Sequence, residues 1–145
     1  MSERDQRLLV LNGAIIFMAG NLVGIPFAQA ISEGWGEEAV RAWRVAHTGL
    51  ASAGLMLLAV GAVLRHVLLG PGEGRILRWA FLAAGYASLG LVIGAAAGVR
   101  GLQPMGPAAN LVVVASNTVL GIGTLVGTAF LIRGAWAGYY AVRRG

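Results

Sequence analysis

The sequence contains no cysteine and no lysine. Without thiols there can be no disulfide, no zinc finger, no thiolate-ligated haem and no covalently attached c-type haem. Charge is scarce, at 12% of residues, about half the share in an ordinary soluble domain. The six acids and eleven arginines give a net charge of +5, but they sit at the ends of apolar runs. That is the pattern of membrane flanks and not of a nucleic-acid surface. No Asp, Glu or Arg lies deep within an apolar run, which argues against a proton relay, a charged-ion coupling site or a voltage sensor. Every carboxylate falls in a tail or loop, so no Ser-His-Asp set is available. The G-x-G patterns do not sit between a strand and a helix, so they imply no dinucleotide fold.

What remains is apolar, with 57% of the 145 residues hydrophobic. Four charge-free runs stand out: Leu8–Ser32, Val45–Leu64, Trp79–Val99 and Gly101–Ile132. A helix needs about 20 apolar residues to cross the hydrocarbon, and none of the runs alternates as a barrel strand would. The last run spends Gln103–Pro107 on a turn, because its prolines break a helix. The expectation is an all-α membrane protein: a glycine-rich four-helix transmembrane bundle forming a single domain over 1–145. Its helices are expected at about 8–31, 44–69, 76–99 and 108–133. Ala28-Gln29-Ala30 imitates a signal-peptidase site, but the preceding apolar stretch exceeds the roughly 7–15 residues of a signal peptide, so the first helix is read as retained. Eight arginines flank the ends shared with both termini and three flank the other side. This asymmetry puts both termini in the cytoplasm of a multi-pass protein, in a bacterial-type inner (plasma) membrane. Ser32–Arg44, with three of the six acids plus Trp35 and Trp43, reads as an outer loop lying at the interface.

Glycine is the second abundance, at 23 residues. In a membrane, small residues let helix backbones approach closely and make van der Waals contact. Gly20 and Gly24 lie on the first helix, Gly90, Gly94 and Gly98 on the third, and Gly121, Gly123 and Gly127 on the fourth. Tight packing is expected within the bundle and between protomers, and Gly94→Leu is expected to separate helices by steric bulk. So short a bundle encloses little volume, so a bulky ligand would need neighbouring subunits.

Polar side chains in hydrocarbon are costly and mark function by default. His47 is the one histidine inside a span, since His66 follows Arg65 at a helix end. One imidazole can serve a haem iron but makes a poor non-haem metal site; the plain alternative is a histidine bonded to a loop carbonyl or to water. Tyr86 shares a helical face with Gly90 and Gly94. Its hydroxyl reads either as a ligand contact or as a filler bonded to a backbone carbonyl. Asn110, Asn117, Gly121, Thr124 and Thr128 form a stripe, and such stripes usually serve interhelical hydrogen bonding. Asn117 is the deepest amide of that stripe and the one placed to face a cavity.

These features resemble the four-helix membrane isomerases that include styrene oxide isomerase and hydroxylaminobenzene mutase. Three places carry the likeness: Gly20-x-x-x-Gly24-x-Pro26, Ala46-His47 with Gly49 close behind, and Gly85-Tyr86-Ala87-Ser88 followed by Pro104-Met105. The resemblance implies a trimer holding b-type haem between subunits. His47 would be the iron ligand, and ferric iron would act as a Lewis acid on an epoxide oxygen. Tyr86 would orient that oxygen. A small apolar aromatic epoxide would then open and rearrange to an aldehyde by a hydride shift. Two positions depart from the family pattern, where Ala53 and Ser88 stand in place of Asn. Asn117 is the candidate replacement. The alternatives are an arylhydroxylamine mutase giving aminophenols, a non-catalytic oligomeric bundle, and a small-solute exporter, the last disfavoured by the missing deep carboxylate.

Overall fold

A computed structural model describes residues 3–143, apart from the side chain of Val142. Helices run over Glu3–Ser32 (α1), Glu37–Val63 (α2), Pro71–Ala87 (α3), Gly90–Ala97 (α4) and Ala108–Arg143 (α5), with a 3-10 turn at Leu64–His66. The described residues contain no strand. Four segments are long and apolar enough to cross a membrane: Glu3–Ser32, Glu37–His66, Pro71–Ala97 and Ala108–Ala141. The chain has the architecture of a multi-pass membrane protein.

The helices extend beyond the charge-free runs, because charged residues at their ends find helical roles. Arg7 bonds Glu3 one turn back at 2.6 Å, a pairing that suits i,i+4 positions. Glu37 and Glu38 occupy the first turn of α2, where carboxylates complement the helix dipole. The expected outer loop Ser32–Arg44 is therefore mostly helix, and only Glu33–Gly36 turns the chain. At the start of α3, Glu73 accepts the Gly70 N–H at 3.1 Å and also pairs with Arg133 of α5. Arg100 pairs with Glu38 at the opposite end.

The closest helix pair is α1 with α2. Gly13 and Gly20 on α1, and Gly54 and Gly61 on α2, each stand where the facing helix comes close, and each pair is seven residues apart along its helix. A Cβ on Gly20 would stand 2.6 Å from the Ala51 backbone nitrogen, and one on Gly13 would stand 2.8 Å from that of Leu58. Both neighbours are backbone and cannot move aside. Gly54 abuts the Phe17 backbone just as closely. Gly54→Ala is therefore expected to cost about 1–3 kcal/mol, the usual range for overpacking. Gly121 has nothing within 4 Å of a Cβ position, so Gly121→Ala should be neutral or stabilising, since alanine is the better helix former. Equilibrium unfolding of both variants in detergent checks the contrast.

The α1–α2 pair packs on α3 through Leu9, Ile16, Ala53, Leu57, Leu77 and Phe81, and α3 in turn packs on α5. Gly123 and Gly127 of α5 accept the Ala80 carbonyl and the Phe81 ring. Gly94 lies against Val113 and the Val99 carbonyl of its own chain. Its bulk restriction is thus internal to the protomer. Gly98 ends α4 in the left-handed conformation (φ +66°), and the Val99 N–H returns to the Gly94 carbonyl at 2.9 Å, as in a glycine-terminated helix.

The third span is broken. At Ser88–Leu89 the ladder tightens: Ser88 N–H is shared between Ala84 and Gly85, and Leu89 N–H goes to Tyr86. Ser88 is fully buried, and its Oγ donates to the Gly85 carbonyl at 2.6 Å. Serine bonding back onto its own helix bends it. The expected common face of Tyr86, Gly90 and Gly94 does not survive the break. Gly90 turns onto Ser116 of α5, while Tyr86 turns to α1.

Candidate functional site

His47 sits about two and a half turns past Glu37 and Glu38 in the first turn of α2, facing the glycine stretch of α1. Its Nδ1 lies 2.9 Å from the Gly20 carbonyl oxygen. A carbonyl only accepts, so Nδ1 carries the proton and Nε2 keeps its lone pair. The ring stacks on Phe27 with centroids 5.9 Å apart. On its other flank the absent side chain of Gly24 leaves the space, since a Cβ there would stand 3.3 Å from the imidazole. The Arg44 guanidinium lies 5.8 Å from the Phe27 centroid on the outer side. Three residues from one helix thus fix the orientation and tautomer of a ring borne by another.

The arrangement has one property of a metal-ligating histidine. Ligating imidazoles almost always donate their other N–H to a carbonyl or carboxylate, which fixes the ring and raises its basicity. Nε2 makes no hydrogen bond among the described residues. Those residues contain no group of three or more His, Cys, Asp or Glu able to hold a metal. A single imidazole with one free nitrogen would suit only a metal whose other ligands come with it, as in a porphyrin. It also combines the two sequence expectations, because the carbonyl bond and a free ligating nitrogen belong to the same ring.

Tyr86 is near the end of α3, 43% exposed. Its hydroxyl donates to Asn12 Oδ1 on α1, and Asn12 Nδ2 in turn donates to the Leu8 carbonyl at 2.7 Å. The Asn12 amide is thereby fixed in one orientation, with its oxygen toward the phenol. Gly20 and Asn12 are eight residues apart on α1, which places the His47 and Tyr86 contacts about 12 Å apart along that helix. Both candidate residues lean on α1.

Asn117 does not join them. Its Nδ2 donates to the Gly101 carbonyl at 3.3 Å. Asn110, two turns earlier, accepts the Gly101 N–H at 2.9 Å and donates to the carbonyls of Gln103 and Met105. The two amides grip the α4–α5 turn from either side of Gly101, which is the interhelical reading of the stripe. Ala53 is buried in the core, and Ser88 spends its hydroxyl on Gly85. The amide beside the tyrosine is Asn12, one of several amide side chains in the first span. Asp5, seven residues earlier on α1, pairs with Arg78 of α3. Positions 5 and 12 contact 78 and 86, so α1 and α3 run parallel in nearly constant register.

A family model described as styrene oxide isomerase matches residues 5–136. The chain belongs to the styrene oxide isomerase family. The match reaches into all four spans and includes His47, Tyr86 and Asn12. Neither the curated proteins nor the solved structures gave a match. Membership in the styrene oxide isomerase family makes an isomerase-type function the frame in which the His47 and Tyr86 geometry is read.

Proposed function

We propose that this chain is a membrane isomerase that converts small apolar aromatic epoxides to aldehydes, with b-type haem bound through His47 Nε2. The observation that carries the reading is the His47 Nδ1–Gly20 carbonyl bond, backed by the Phe27 stack and by the family. The chemistry a ferric haem supplies when bound is Lewis acidity toward the epoxide oxygen. His47 holds its ring in one tautomer through Gly20, leaving Nε2 open to iron. Tyr86 rests at the edge of the protomer with its phenolic proton on Asn12 Oδ1, and that O–H turns to the epoxide oxygen, which can only accept, when substrate is bound. The apolar flanks of these helices exclude water, so a benzylic cation formed as the C–O bond breaks escapes hydrolysis. Hydride migration from the neighbouring carbon then gives the aldehyde, with atoms and electrons conserved.

A trimer sharing its haem between subunits accords with the partial exposure of both His47 and Tyr86. An arylhydroxylamine mutase fits the same residues, because that substrate also reacts by heterolysis of a bond to oxygen. The test is the visible spectrum of the purified protein, haem quantified as the pyridine complex, and conversion of aryl epoxides and arylhydroxylamines in parallel. A Soret band with near-stoichiometric b-type haem and aldehyde formation is expected. A colourless protein expressed with ample haem would overturn the proposal, leaving a non-catalytic bundle. Aminophenol formation without aldehyde would replace the epoxide with an arylhydroxylamine.

A further inference from the structure

The arginine-rich end of the bundle holds a cavity of about 760 Å³ between the first turns of α1 and α3, lined by Arg4, Arg75, Arg78 and Trp79 among others. Of its three guanidinium groups, only that of Arg78 is paired, with Asp5. Arg4 and Arg75 make no ion pair among the described residues. The Nε of Arg78 is buried without any acceptor, an arrangement that natural structures rarely leave unresolved. Pro71 and Gly74 also line the cavity, so the N-terminus of the 17-residue α3 adds its positive dipole end. Even with Asp5 counted, an excess of two positive charges faces this space.

Part of the lining is apolar. Leu8 and Leu69 belong to it, and Trp79 is 58% exposed beside the Arg78 guanidinium, 5.3 Å from its ring centroid. Tryptophan so placed at the end of a span lies at headgroup depth. Trp136, Tyr139 and Tyr140, all exposed on α5, continue that belt at the same end. A lining that combines guanidinium groups with apolar side chains matches a charged headgroup with attached acyl chains, whereas a free anion would use the guanidinium groups alone.

We infer that the groove between the N-terminal ends of α1 and α3 binds the phosphate group of an anionic phospholipid, with Arg4 and Arg75 as its main charge contacts. The site is independent of the chemistry at His47. Basic pockets between transmembrane helices are suited to such headgroups, with each surface arginine contributing about a fivefold gain in binding.

The test uses the full chain in a neutral detergent. Phosphatidylglycerol, phosphatidylcholine and inorganic phosphate are added separately, and thermal unfolding is followed together with lipid retention by native mass spectrometry. Phosphatidylglycerol should raise the Tm and remain bound at one molecule per protomer. R4Q/R75Q should weaken that binding roughly thirtyfold while leaving the lipid-free Tm unchanged, since both side chains are exposed. Equal retention of phosphatidylcholine would overturn headgroup charge recognition. The same stabilisation by inorganic phosphate alone would overturn the lipid as its source. If R4Q/R75Q does not fold, the wild-type comparison of the three ligands still decides, and failure to retain phosphatidylglycerol sinks the inference.

Discussion

Replacing His47 by alanine is expected to lower the haem retained through purification by more than about tenfold. Losing only an outer-shell partner of a metal ligand costs about 10–100-fold in affinity, and here the ligand itself is removed. No other imidazole is placed to substitute. His66 lies in the 3-10 turn at the opposite end of α2, and its Nε2 accepts from Arg65 at 2.9 Å. The fold should survive, because the tight α1–α2 contact rests on glycine and backbone at Gly13, Gly20 and Gly54 and not on the imidazole. Exogenous imidazole should enter the vacated space and restore part of the Soret band. Phe27→Ala, which removes the stacked ring but spares the Gly20 bond, should retain an intermediate amount. His47→Ala with full haem occupancy would remove His47 as the ligand. Loss of haem accompanied by unfolding would be told apart by the Tm and by failure of the imidazole rescue.

The four spans were legible because hydropathy depends only on composition along the chain, and arginines interrupt it at Arg41, Arg44, Arg65, Arg75, Arg78 and Arg100. Their ends were less so. Glu37 and Glu38 look like loop residues in a hydropathy count, yet they suit the first turn of α2 electrostatically. The break at Ser88 was hidden for another reason: no proline or charge marks it, and a serine bends a helix only when its hydroxyl turns back on the backbone, as it does toward Gly85. Glycine counting also could not divide Gly94, packed on its own Val113, from Gly121, which meets nothing. With apolar residues on every face, the sequence pattern does not set how a membrane helix is rotated.

The same limit applies to the site. His47 stood out as the lone in-span imidazole, a property of the residue itself. Its partner Gly20 is 27 residues away and contributes only a carbonyl, which every residue has. Asn117 and Asn12 are the same residue type in similar apolar surroundings. Only the packing shows that one holds a turn and the other holds a phenol.

That distinction carries the second large effect. Tyr86→Phe is expected to cut turnover about 10²–10³-fold, the usual cost of deleting one hydrogen-bonding group beside a reacting oxygen, with haem content unchanged. Asn12→Ala should reduce turnover less, because the Tyr86 hydroxyl remains but loses the acceptor that fixes it. If Asn12 acts through Tyr86, adding Asn12→Ala to the Tyr86→Phe variant should cost little more, the non-additivity of residues in one network. Asn117→Ala breaks a 3.3 Å bond to the Gly101 carbonyl. Interhelical bonds of this kind average about 0.6 kcal/mol, so stability should fall slightly and turnover should stay within about threefold. Initial rates at saturating and limiting substrate, with haem measured on each sample, give the comparison. A large loss from Asn117→Ala alongside an indifferent Asn12→Ala would move the site to the α4–α5 end. It would also make Asn117 the amide that stands in for the family asparagine missing at Ala53. Additive losses from Asn12 and Tyr86 would instead make Asn12 a substrate contact in its own right.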